Sequence, residues 1–161
     1  MAERMTNGIL LAGRLILAGC LVPTALARVL NPSGFAVTLA TEGLPFATEV
    51  AAGAVVIGAV GPLALAVGVL PRATALLLIV YTILTTLLLH RFWEFGGVFR
   101  QAEQSAFIAD MALVAAMLFY MQAGPGEWSW SGLRRKLSAG GGPAERKRPA
   151  PRGNGRALKA A

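Results

Sequence analysis

One cysteine and one histidine in 161 residues exclude two redox chemistries from this chain. Cys20 alone forms no internal disulfide and supplies no CxxC pair, which argues against the thiol–disulfide exchange of four-helix quinone-linked disulfide oxidoreductases. His90 alone rules out a bis-histidine haem held within this chain. Charge is sparse at 14% of residues. No glycine-rich phosphate loop, dinucleotide fingerprint or serine-hydrolase elbow is present.

What the chain does have is long apolar sequence. Hydrophobic residues make up 55% of it and the mean hydropathy is +0.60. No charge falls between Val50 and Pro71 or between Ala73 and Leu89, and Phe107 to Gly126 is interrupted only by Asp110. Gly8 to Leu30 is a further apolar segment, containing Arg14. A hydrocarbon core about 30 Å thick needs about 20 apolar helical residues to cross it, and soluble core helices rarely run so far without a polar face. The reading is an all-α, membrane-embedded four-helix bundle over residues 1–131, followed by a disordered basic tail over 132–161.

The spans are expected at about 8–30, 45–70, 73–92 and 104–122. Pro23 and Pro62 are placed to kink the first and second. Asn31-Pro32-Ser33-Gly34 reads as a turn, and Phe35 to Thr41 as a short interfacial helix. Pro71-Arg72 is a tight joint between antiparallel neighbours, and Gly124-Pro125-Gly126 ends the last span. Leu17-Ala18-Gly19-Cys20 and Ala25-Leu26-Ala27 resemble cleavage sites, but Arg14 breaks the apolar run that a signal peptide requires, so the first span is read as retained. Ala54-xxx-Gly58 and Ala64-xxx-Gly68 allow close helix approach and read as packing within the bundle.

The net charge of +7 is concentrated in the tail, since from Arg134 onward there are nine Lys/Arg against one Glu. Without interleaved aromatics this tail does not read as a nucleic-acid binder; a place near anionic lipid suits it better. Arg4, Arg72 and the nine tail cations fall on one side of an even-numbered bundle, against Arg28, Arg91 and Arg100 on the other. The excess of positive charge puts both termini in the cytoplasm.

Charges inside a membrane are costly and therefore functional suspects. Arg28 closes the outer end of the first span, Glu49 lies about one turn into the second, His90 ends the third, and Asp110 lies about two turns into the fourth. Together they are expected to form one polar cluster near the outer leaflet, the candidate ligand-binding or proton-relay site. No metal site and no catalytic residue is assigned. Arg14 is expected apart from this cluster, snorkelling inward or bonding to carbonyls of a neighbouring helix.

Several short matches, taken in order, resemble the DoxX family of small bacterial and archaeal membrane proteins. They are Gly13-Arg14, Gly34-Phe35, Gly43-Leu44-Pro45, Gly68, Arg72-Ala73, His90-Arg91-Phe92 and the closing Gly124-Pro125-Gly126-Glu127-Trp128-Ser129, together covering about Gly8 to Ser131. The chain departs from the family pattern at Ala25 and Arg28, at Ala109 and Asp110 where Lys-Asn is usual, at Ala115 and Ala116, and at Trp130-Ser131. The resemblance implies a bundle associated with membrane redox systems, since relatives look like small subunits of quinone-linked oxidoreductases. It implies a non-catalytic accessory subunit or quinone-proximal anchor in the bacterial inner (plasma) membrane. The implied partners are the lipid bilayer, membrane oxidoreductase subunits and a second copy of the chain. A quinone is the candidate ligand, with no covalently bound cofactor. Loss of the usual lysine, at Ala109, and gain of an acid, at Asp110, suit a neutral quinone better than an anion. A stand-alone transporter or resistance protein for small hydrophobic molecules, and a structural scaffold, are the alternatives.

Overall fold

Long uncharged runs become long helices because a backbone in hydrocarbon must satisfy its own hydrogen bonds. The computed structural model describes residues 2–139, and four helices in it are long and apolar enough to cross a membrane. These are α1 (Ala2–Leu30), α3 (Ala47–Val67), α4 (Pro71–Leu89) and α5 (Gly97–Ala123). At 1.5 Å per residue they span about 43, 31, 28 and 40 Å, so α1 and α5 outrun the hydrocarbon core. Two shorter helices, α2 (Pro32–Thr41) and α6 (Trp130–Ala139), and a 3-10 turn at Phe92–Glu94 complete the described chain, which holds no strand. The protein is a multi-pass membrane helical bundle.

The differences from expectation lie at helix ends. Asn31-Pro32-Ser33-Gly34 starts α2 instead of forming a separate turn: the Asn31 side chain accepts from the Gly34 N–H at 2.9 Å, with proline in the first helical turn. Phe35 and Leu39 of α2 are buried against Ala51 of α3, so this helix is tucked over the bundle end. α3 stops at Val67 because Gly68 takes a left-handed conformation (φ 77°) and its N–H bonds back to Ala64 at 2.9 Å. α5 begins at Gly97, several residues before the expected start. The tail expected from residue 132 is helical as far as Ala139, in α6. The remainder of that tail lies outside the described residues.

α1 packs along α3, α3 on α4, and α4 on α5. The core between them holds Leu65, Leu78 and Met117, all fully buried. The small residues of α3 serve this packing: a Cβ added at Gly61 would lie 2.5 Å from Leu78, and one at Gly58 2.8 Å from the Tyr81 hydroxyl. α1 and α5 touch little, and the seam between them is an open apolar groove of about 910 Å³.

The end of the bundle where α1 begins and α5 gives way to α6 is held by Arg14. Its side chain is only 3% exposed, so it does not snorkel. Nη1 donates to the Pro125 carbonyl at 3.0 Å and Nη2 to the Trp128 carbonyl at 2.9 Å. The acceptors belong to the loop that closes the bundle after α5, not to a neighbouring helix. Asn7 adds a contact from α1, accepting from the Glu127 N–H at 3.2 Å. A Cβ at Gly68 would meet Arg14 Nη1 and the Ser129 Cβ, each at 2.7 Å. Arg14→Met leaves two carbonyls without their donor, and thermal unfolding in detergent should show a loss of about 2–4 kcal/mol. Gly68→Ala, strained by its positive φ and crowded by Arg14, should cost at least about 1 kcal/mol. A change within about 0.5 kcal/mol for Arg14→Met, the range of an ordinary surface substitution, would show that the closing loop does not depend on it.

Candidate functional site

At the opposite end of the bundle the polar side chains form a line across α4 and α5. Thr86 is fully buried on α4, and its hydroxyl donates to Asp110 Oδ2 on α5 at 2.6 Å. His90 follows one turn later, at the C-cap of α4, where its N–H bonds to the Thr86 carbonyl. Its ring stands between two carboxylates. Nδ1 is 2.8 Å from Glu103 Oε2, and Nε2 is 3.9 Å from Asp110 Oδ2. Asp110, His90 and Glu103 thus form a continuous line of ionisable side chains from the middle of α5 to the end of the bundle.

Arg28 reaches this region from α1. Its guanidinium donates to the Tyr81 hydroxyl and lies 4.7 Å from the Phe35 ring centre and 5.5 Å from that of Tyr81. A desolvated cation over aromatic faces is stabilised by their quadrupoles. Arg28 and Asp110 line one small polar cavity of about 70 Å³ with Tyr81, Thr82 and Thr85. Asp110 also lines the large groove between α1 and α5, beside Cys20 and Leu17. That single side chain joins the apolar groove, the polar cavity and the His90–Glu103 pair. Because α5 begins at Gly97, Asp110 sits about 20 Å along it, near its middle, and deeper than the expected two turns.

Three of the four expected site residues are brought together, and Glu49 is not. It is exposed in the first turn of α3 and makes no hydrogen bond or ion pair among the described residues. The buried residue of that turn is Ala51, about 200° further round the helix. Glu103, Thr86 and Tyr81 take part without having been singled out from the sequence. Glu103 lies two helical turns before Asp110, a spacing that puts both on one face, and Thr82 and Thr86 recur on one face of α4 with Tyr81 at its side. Nearer the rim, Arg91 pairs with Glu42 and, at 3.0 Å, with Glu94. Phe92 packs edge-on against Trp93 and Phe107. Among the described residues no group of three His, Cys, Asp or Glu side chains is arranged to hold a metal ion.

Four membrane-crossing helices with a polar line at one end define a small multi-pass membrane protein. A family model described as DoxX matches residues 9–91, just over half of the chain, and the chain belongs to the DoxX family. The match spans α1 to α4 and ends at Arg91, so α5 with Asp110 lies beyond it. No curated protein and no solved structure matches the chain.

The placement predicts unequal responses at Thr86 and Glu49. Thr86→Val removes the donor to a carboxylate and should lower stability in detergent by about 1.5–3 kcal/mol. Glu49→Gln should change it by less than about 0.5 kcal/mol. Equal effects in thermal unfolding would sink this division.

Proposed function

We propose that the protein is a non-catalytic membrane subunit that holds a neutral, quinone-like ligand beside a partner oxidoreductase. The observation that carries this reading is Asp110, which stands in the wall of an apolar groove and at the head of a proton-passing line. Reduction of a quinone takes up protons as well as electrons. The ligand's apolar body would lie in the groove, with a carbonyl near Asp110, and protons would move along Asp110, His90 and Glu103. Arg28 offsets the negative charge of Asp110 across the small cavity.

Electrons would come from another chain. The segments between spans are short, at 31–46 (which holds the ten-residue α2), 68–70 and 90–96, and leave no room there for a cofactor domain. Arg4, Arg72, Arg134, Arg135 and Lys136 lie toward the end where α1 begins and α5 gives way to α6, while Glu42, Glu94 and Glu103 gather at the other. By the positive-inside tendency the first end is cytoplasmic, in the bacterial plasma membrane, and the His90–Glu103 end faces out. Transport of small hydrophobic molecules is the second reading, favoured by the lateral opening of the groove.

Cys20, the chain's only cysteine, is exposed in the groove wall and reports on its occupancy. A fully ring-substituted short-chain quinone should slow maleimide labelling of Cys20 severalfold in detergent, where the matching hydrocarbon chain alone does not. The matching quinol, whose hydroxyl can donate to the Asp110 carboxylate, should protect as well, and Asp110→Asn should weaken the quinol's protection by about tenfold, the loss of one hydrogen bond to a charged acceptor. Equal protection by quinone and hydrocarbon, or none by either, would rule out a quinone site here. Purification from native membranes should bring down a stoichiometric quinone-reducing partner; quinone protection without such a partner would favour transport.

A further inference from the structure

The end of the bundle opposite the polar line carries a second cleft, of about 480 Å³, between the α3–α4 turn, the C-terminal end of α5 and α6. Two arginines line it, Arg72 from the first turn of α4 and Arg135 from α6, and neither has a hydrogen bond or ion pair among the described residues. Arg14 has carbonyls, Arg28 has Tyr81, Arg91 has Glu42 and Glu94, and Lys136 has Glu127, whereas Arg4, Arg100 and Arg134 lie outside this cleft's lining. Two unpaired guanidinium groups facing one cleft repel each other until an anion enters. The same wall includes the start of α4, where Leu70 occupies the cap position and supplies no side-chain acceptor. The adjacent start of α6 is capped, Ser129 Oγ accepting from the Gly132 N–H at 3.0 Å. Anionic oxygens suit an uncapped helix start between arginines.

The surroundings select the kind of anion. The cleft lies level with the ends of α3, α4 and α5, the depth at which lipid headgroups meet spans. Beside it, α6 presents Trp130, Leu133 and Leu137 at helical spacing, exposed by 55%, 49% and 71%, with Arg134, Arg135 and Lys136 among them. Such a helix lies in the membrane interface with its apolar face toward the acyl chains. A soluble phosphate compound has no use for an apolar face beside its site, whereas a phospholipid uses both. We propose that this cleft binds the phosphate of an anionic phospholipid between Arg72 and Arg135, with α6 lying in the headgroup layer around it.

The test is native mass spectrometry of the full-length protein in mild detergent, titrated with phosphatidylglycerol and with phosphatidylcholine of the same chains. Phosphatidylglycerol should be retained in preference. Arg72→Gln and Arg135→Gln should each weaken its retention about fivefold, and the double variant about 25-fold, while Arg72→Lys/Arg135→Lys keeps the preference. Arg100→Gln, an exposed arginine at the other end, should leave retention unchanged. Both cleft arginines are exposed and unpaired, so the variants should melt with the parent protein, a check made on the same samples. Equal retention of the two lipids, a double Gln variant that binds like the parent, or an equal loss with Arg100→Gln would each overturn the proposal. Displacement of the lipid by millimolar inorganic phosphate would also overturn it, by showing that the cleft takes the free anion.

Discussion

A buried arginine without an acidic partner is tolerable in a bundle only if fixed acceptors replace water, and the architecture around Arg14 supplies them. Its two carbonyl partners lie more than a hundred residues away in the closing loop, so α1 is tied directly to the chain that follows α5. The turn between α3 and α4 must then leave room, and Gly68 does so where a Cβ would touch the guanidinium. One charge thereby brings three chain segments together, with the Asn7–Glu127 hydrogen bond as a second polar tie between α1 and the closing loop. In hydrocarbon, apolar contact alone gives little driving force for helices to associate, because lipid tails are as apolar as leucine. The directional bonds from Arg14 do what the hydrophobic effect does in a soluble bundle: they set which ends belong together.

With that end clamped, the two ends of the molecule differ in chemistry. At the clamped end the described cations outnumber the acids, and two of them, Arg72 and Arg135, border a cleft at the membrane surface. At the other end acids predominate, and the polar groups already face one another: Arg28 lies on Tyr81 and Phe35, Arg91 pairs with Glu42 and Glu94, and the His90 ring stands between Glu103 and Asp110, with Arg100 the described cation left unpaired there.

Hydropathy carries the fold plainly, because a span is recorded in every residue it contains; this is why four helices and their tight joints were legible. Azimuth around a helix is a weaker signal. Glu49 and Asp110 look alike as acids near apolar sequence, yet Ala51 takes the buried side of α3 and leaves Glu49 outside. Membrane helices hide azimuth because lipid-facing and core-facing residues are both apolar, so only small or hydroxyl residues mark the packed side. On α4 those marks were present, in Thr82 and Thr86, and they point to Asp110. Asn31 and Pro32 serve equally as turn or helix-start residues, and burial of Phe35 and Leu39 decides for the helix. In α6 the spacing of Trp130, Leu133 and Leu137 was readable, but the basic composition of the tail obscured it.

The open seam between α1 and α5 follows from the same physics. In water a groove of this size lined with leucine, isoleucine and alanine would close, because burial of apolar surface is strongly favourable. In a bilayer that gain is absent, and α1 is held by its packing on α3 and by the Arg14 clamp, neither of which draws it onto α5. The groove therefore stays filled by whatever apolar molecule competes best with lipid tails. Its walls discriminate little among such molecules, since alkyl chains and isoprenoid chains present similar surfaces. Selectivity has to come from the few polar atoms along it, and Asp110 connects those at mid-span to the Thr86 and His90 network.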